Sequence, residues 1–327
     1  MPFKFYMKYF LFSVVFFVFM VSCKRDNGLE KEISKINTQI DIERFDRLFG
    51  QVTSVSDLKQ LQTAYPFMFS ERYSDTFWIE KASDTLQKQL LDEVEKQFQN
   101  IDATKQEIES LFNHLTYYFP NFTPPRVITV TSDVDYRNKV IVTDTIALIS
   151  LDTYLGSEHE FYQGIQKYIA ADMNKEQIVV DMAGEYAKKF MYQQDTKTLL
   201  DEMIYYGKQL YFKDVMVPFK TEAQRIAYTE DQLDWAQNNE NYIWRYFVER
   251  ELLYSTDSKL PARFIIDAPF SKFYLEEIDA QSPDKLGQYI GWQIVRAYMD
   301  NNNVPLIDML DASTEEIFNN SKFKPRK

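Results

Sequence analysis

Between Val127 and Leu151 the apolar pattern changes period, and that change limits the possible folds more than any other feature of the chain. Val127 to Val130, Val140 to Val142 and Ile146 to Leu151 are short β-branched runs set off by Asp, Asn and Ser turn residues, which is how strands read. They predict a three-stranded antiparallel meander. On both sides the apolar residues recur at helical spacing. Ile40 to Phe49 alternates and then shifts to that spacing, and Leu58 to Phe69 is a short helix interrupted by Pro66. A helix starting at Asp84 carries Leu86, Leu90, Val94 and Phe98 on one face. Thr104 and Glu107 form a capping-box pattern ahead of Ile108, Leu111, Phe112, Leu115 and Phe119, in a helix that ends at Pro120. After Gly156, helices are expected over Glu160 to Ala171, Lys175 to Met191, Thr198 to Tyr211, Asp231 to Leu253, Pro283 to Asp300 and Ser313 to Phe318. A small sheet between two helical halves, with no repeat and no long linker, predicts one mainly helical α+β domain over residues 36–327 with a small antiparallel or mixed sheet.

Composition removes two function classes. The eight glycines are dispersed, so no cluster lets backbone N–H groups approach a pyrophosphate, and no nucleotide site is expected. The 37 basic residues are scattered among 49 acidic ones, for a net charge of −12, which leaves no basic face for nucleic acid.

At the N-terminus, Lys4 and Lys8 precede the uncharged run Tyr9 to Ser22, which ends at the only cysteine, Cys23. The run is shorter than a bilayer span of about 20 residues but has the length and flanks of a signal-peptide core. Met20-Val21-Ser22-Cys23 resembles a bacterial lipobox, which implies removal of residues 1–22 and acylation of Cys23 with diacylglycerol and palmitate-type chains. That processing takes two lysines and no acids, leaving 35 basic against 49 acidic residues. Permanent attachment to a lipid membrane follows, because each buried CH₂ contributes about 0.8 kcal/mol. Residues 23–35 then read as a lipidated tether. Lys24 after the cysteine leans towards the outer membrane, with the body facing the periplasm.

Three strings carry a family resemblance: Arg44-Phe45-Asp46, Ile146 through Gly156 (IALISLDTYLG), and Ser282 through Met299 (SPDKLGQYIGWQIVRAYM). Together with the lipobox they resemble GldB, the gliding-motility lipoprotein family of the Bacteroidota. The resemblance spans about Ile40 to Met299. It implies a cell-envelope lipoprotein required for gliding motility and linked to type IX protein secretion, whose partners are other components of those machines.

The same layout resembles zincin metallopeptidases, in which two histidines one helical turn apart hold Zn²⁺ and a glutamate activates water. Here the corresponding helix reads Val180-Asp181-Met182-Ala183-Gly184-Glu185. Asp181 and Glu185 stand at the histidine positions, Met182 at the general base, and Tyr206 of Tyr205-Tyr206-Gly207 at the third ligand. A thioether cannot accept a proton, so the resemblance implies a pseudopeptidase with no catalytic residue, no metal and no cofactor. Asp181 and Glu185 share a helix face and could hold Ca²⁺ or Mg²⁺. The plainer reading pairs Glu185 with Lys189 and leaves Asp181 solvated, with Met182 in the core.

His114 and His159 lack a second ligand at metal spacing. Gly287 and Gly291, four apart on one helix, point to close packing by another element or, alternatively, to a ligand cleft. Trp235, Tyr242, Trp244 and Phe247 read as core and rim, with an interaction surface as the alternative. A scaffold that binds machinery components through its cleft, or through β-augmentation at the Ile146 to Leu151 strand, is the expected function. An atypical metal-dependent hydrolase of the envelope is the alternative.

Overall fold

The computed structural model describes residues 26–191 and 197–327; Cys23 and the signal segment 1–22 lie outside them. Four strands form one sheet: β1 (Ile42–Arg44), β2 (Arg126–Val130), β3 (Val140–Val142) and β4 (Ile146–Ser150). Their order is β1-β2-β4-β3. β1 and β4 both run parallel to β2, and only β3 is antiparallel, paired to β4. The fold is thus mainly helical α+β with a mixed sheet, and the antiparallel meander is corrected. β2 meets β4 in register Val127↔Ala147 because residues 131–139 carry the chain past the position of β4. The Asp152 carboxylate fixes that crossing by accepting from the backbone N–H groups of Ser132 (3.0 Å) and Val134 (2.8 Å). Asp133 and Val134 both adopt the left-handed region, at φ 56° and 58°. For a β-branched residue this is strained backbone, and the hydrogen bonds to Asp152 hold it there.

The parallel pairing also places β4 inside the sheet, between β2 and β3, so its edges are occupied and β-augmentation at Ile146 to Leu151 is ruled out. β3 is the edge strand on that side. β2 is covered on both faces, with only its first residue, Arg126, exposed, whereas the edge strand β3 leaves Ile141 exposed. Ile128, Val130, Ile146 and Leu148 face an N-terminal aromatic layer that contains Phe45, Phe49, Tyr65 and Trp78. Val127, Ala147 and Ile149 face the main core.

Helix boundaries follow local capping. Asp84 accepts from the N–H groups of Leu86 and Gln87 and starts Thr85–Gln97, which buries Leu90 and Val94, with Phe98 buried at its C-cap, and leaves Leu86 exposed. Thr104 is not a cap: Asn100 Oδ1 takes the Asp102 N–H at 2.7 Å, the helix Asp102–Tyr118 begins earlier, and Thr104 is buried inside it. Reciprocal capping boxes occur at Ser54/Asp57, Thr198/Asp201, Thr221/Gln224 and Thr229/Gln232. The expected helix over Asp231 to Leu253 divides at Asn239 into Glu230–Asn238 and Glu240–Glu249, and Glu160 to Ala171 reduces to the short turns Glu160–Tyr162 and Lys167–Ala170. Within the expected tether, Asp26–Ile33 is a helix that buries Ile33, so chain read as free linker is partly docked on the body.

The centre of the main core is the pair Leu199–Met216 and Leu286–Asn301. A Cβ on Gly207 would meet the Gly291 carbonyl carbon at 2.4 Å, and one on Gly291 would meet the Met203 carbonyl oxygen at 1.8 Å. The two helices therefore touch backbone to backbone, as the Gly287/Gly291 spacing predicted for close packing.

Candidate functional site: a charged cleft behind the edge strand

The helix Ile178–Phe190 packs against β3 on one side and Leu199–Met216 on the other. Between these elements and the segments around Tyr168 and Lys285 opens a cleft of about 460 Å³. The helix has seven buried residues, among them Val179, Met182, Ala183 and Tyr186, and presents Asp181, Gly184, Glu185 and Lys188 to the cleft. Met182 is fully buried and does not line it. On the second helix, Tyr206, Gln209 and Lys213 fall at i, i+3 and i+7 and form the facing wall. Three of the four zincin-related positions, Asp181, Glu185 and Tyr206, thus meet in one cleft, and the fourth lies behind it.

Asp181 is not solvated. Its carboxylate pairs with Lys139 Nζ at 2.8 Å and accepts from the Tyr154 hydroxyl at 2.8 Å. Lys139 also pairs with Asp172 at 3.1 Å. Burial pushes the Lys139 ammonium down, but the two carboxylates outweigh it and hold Lys139 above its ordinary value. Burial pushes Asp172 up, against the opposing pull of Lys139. Glu185 pairs with Lys188 at 2.5 Å rather than with Lys189, which reaches Asp144. Opposite, Lys285 pairs with Asp267 at 3.1 Å, and although burial opposes its charge, Asp284 and Asp267 keep it raised.

Lys213 is different. It is half-buried at the base of the cleft and donates to the Arg225 carbonyl at 3.2 Å, but among the described residues it has no carboxylate within ion-pair distance. Desolvation by the surrounding protein pushes it down to about 8. Gly184 makes room for its stem: a Cβ there would sit 3.2 Å from Lys213 Cε.

The donor set fits neither the Zn²⁺ of a zincin metallopeptidase nor a hard cation at Asp181 and Glu185. Each carboxylate is already neutralised by a lysine, Lys139, Lys213 and Lys285 would repel a cation, and Met182 supplies no base where the glutamate would stand. Neither histidine lines the cleft. His114 bonds the Ser110 carbonyl at 2.8 Å and approaches Glu30, and His159 lies 3.4 Å from Glu93.

Sequence reasoning missed Lys139, Asp172, Gln209, Lys213, Asp267 and Lys285. For Gln209 and Lys213 a signal existed, since both share the helix face of Tyr206. The other four come from separate loops, brought together only by the tertiary fold.

A family model described as gliding motility protein GldB matches residues 26–325. No curated protein and no solved structure matches the chain.

Proposed function

Since this chain belongs to the gliding motility protein GldB family, a lipoprotein family that serves gliding, we propose that it acts there as a non-catalytic recognition scaffold whose cleft binds another component of the motility and type IX secretion machinery. The observation that carries this reading is the pairing of Asp181 with Lys139 and Tyr154. It supports this reading because the Asp181 carboxylate is already engaged within the protein, beside a concave, charged surface behind the short edge strand β3. Acylation of Cys23 would hold that surface at the membrane, in our reading the outer membrane with the body facing the periplasm. Among the described residues no helix is long and apolar enough to cross a membrane.

Tyr206→Arg in the full-length lipoprotein, checked for intact folding, tests the scaffold role by fixing a bulky charge on the cleft wall. Gliding and the set of proteins cross-linked to it in cells should both be lost; unchanged gliding with unchanged cross-links rejects the cleft as the working surface. Elemental analysis of the purified protein addresses the hydrolase alternative, which requires a stoichiometric metal. Cys23→Ala should release the protein in unlipidated form, and continued acylation would contradict the anchor.

A further inference from the structure

The charges of the cleft divide into those matched within the protein and those left open. Lys139 is matched by Asp172 and Asp181, Lys285 by Asp267, and Lys188 by Glu185. Arg225 is matched by Asp214, and the exposed Arg137 lies at the rim over the Tyr136 ring. Lys213, at the base, has only a carbonyl. One helical turn before it, on the same face, Gln209 is 7% exposed, lines the cleft, and its amide nitrogen has no hydrogen-bond partner. Leaving a buried amide donor unpaired costs about 1–3 kcal/mol. The two open groups sit side by side on a wall held rigid by the Gly207–Gly291 contact.

We propose that the base of this cleft binds a carboxylate group, with Lys213 supplying the charge and Gln209 the neutral donor. This rests on the cleft being the recognition surface proposed above. The balance of charge selects the ligand. A carboxylate brings one negative charge and planar acceptors, which answers one open ammonium and one open amide. A phosphate dianion would bring a second charge that, among the described residues, no further unpaired cation at the base answers, since Lys139, Lys188 and Lys285 are already paired with Asp172, Asp181, Glu185 and Asp267. Two sources offer the same group: the C-terminal carboxylate of a polypeptide, or an Asp or Glu side chain within one.

Titration calorimetry on the purified full-length protein in detergent distinguishes these. The probes are acetyl-Ala-Ala-Ala with a free C-terminus, the same peptide as its C-terminal amide, acetyl-Ala-Asp-Ala-amide, and inorganic phosphate. Saturable binding of at least one carboxylate peptide, with none by the neutral amide and weaker binding by phosphate, is expected. The free-terminus peptide binding better assigns the source to a chain end, and the Asp peptide binding better assigns it to a side chain. Lys213→Met should weaken binding at least tenfold and Gln209→Leu several-fold.

The wild-type pH profile gives a readout that needs no variant. Lys213 faces Asp181 and Lys188 from the neighbouring helix, Lys139 ahead of β3, and Lys285 across the cleft, and it is pushed down to about 8 chiefly by burial. Affinity should fall as pH rises through that value and the ammonium is lost. No binding by either carboxylate peptide, tighter binding of phosphate, or unchanged affinity in Lys213→Met would overturn the proposal. Because these probes are free peptides, such a failure leaves the cross-linking result for Tyr206→Arg to stand or fall separately.

Discussion

The two sides of the sheet treat buried charge in opposite ways. On the N-terminal side, Asp46 is 2% exposed and completely answered: Arg44 reaches it with Nε at 3.0 Å and Nη2 at 2.7 Å, and the Thr129 hydroxyl donates to it. Arg44 spends its remaining arm on the Phe98 carbonyl at 2.9 Å. Around this pair lies a layer of stacked and edge-on aromatics, Phe45, Phe49, Phe69 and Trp78. On the cleft side the protein accepts a desolvated lysine with one carbonyl partner and a buried amide nitrogen with none. The contrast is one of charge: the Trp78 indole nitrogen of the N-terminal layer is also buried without a partner, but among the described residues no buried charge there is left open, whereas the cleft leaves a lysine without a carboxylate.

The contrast can be broken most forcefully at Asp46. Asp46→Ala leaves the Arg44 guanidinium buried without its carboxylate and should cost about 3–5 kcal/mol in denaturant unfolding, the range for breaking a buried pair. A loss below about 1 kcal/mol would show that the pair is no firmer than a surface contact. Gly291→Ala comes next. The added methyl meets the Met203 carbonyl, so the helix pair must separate, and a loss of about 1–3 kcal/mol is expected, together with disturbance of the wall that carries Gln209 and Lys213.

The smallest effect has the opposite sign. Lys213→Met should stabilise the protein at pH 7 by on the order of 1–2 kcal/mol, because the charge of a lysine pushed down from its ordinary 10.5 to about 8 opposes folding. The unfolded chain binds more protons than the folded one between about 8 and 10.5, so wild-type stability should rise with pH over that window. Buried Lys208, also held near 8 while donating to the Leu310 and Ala312 carbonyls, adds to the same slope. The variant should retain only part of it. A variant both more stable and unable to bind a carboxylate would show that the cleft gives up stability for function.

The period change at Val127 made the class of fold legible, since spacing of apolar residues is local and survives in the sequence. The sheet order was not, because it depends on where Asp152, far along the chain, catches the backbone at Ser132 and Val134. Nor was the boundary at Asn239, where the Asn239 side-chain amide donates to the Trp235 carbonyl at 2.8 Å and closes one helix before the next begins. At the site, motif position singled out Asp181, Glu185 and Tyr206, and the fold brings these three to one concavity. Motif position misjudged the company they keep. A lone lysine at the mouth of a strand, such as Lys139, looks in sequence like any solvated residue, and only the fold turns it onto Asp181. Glu185 had lysines available at both i+3 and i+4, and Lys189 was drawn off by Asp144.

The contact between Gly207 and Gly291 has a mechanical meaning for the cleft. Two main chains that meet with no side chain between them leave no slack, so the donor-bearing jaw cannot slide or rotate when a guest arrives. The entropy of aligning that jaw has been spent in folding, and the guest is relieved of supplying it.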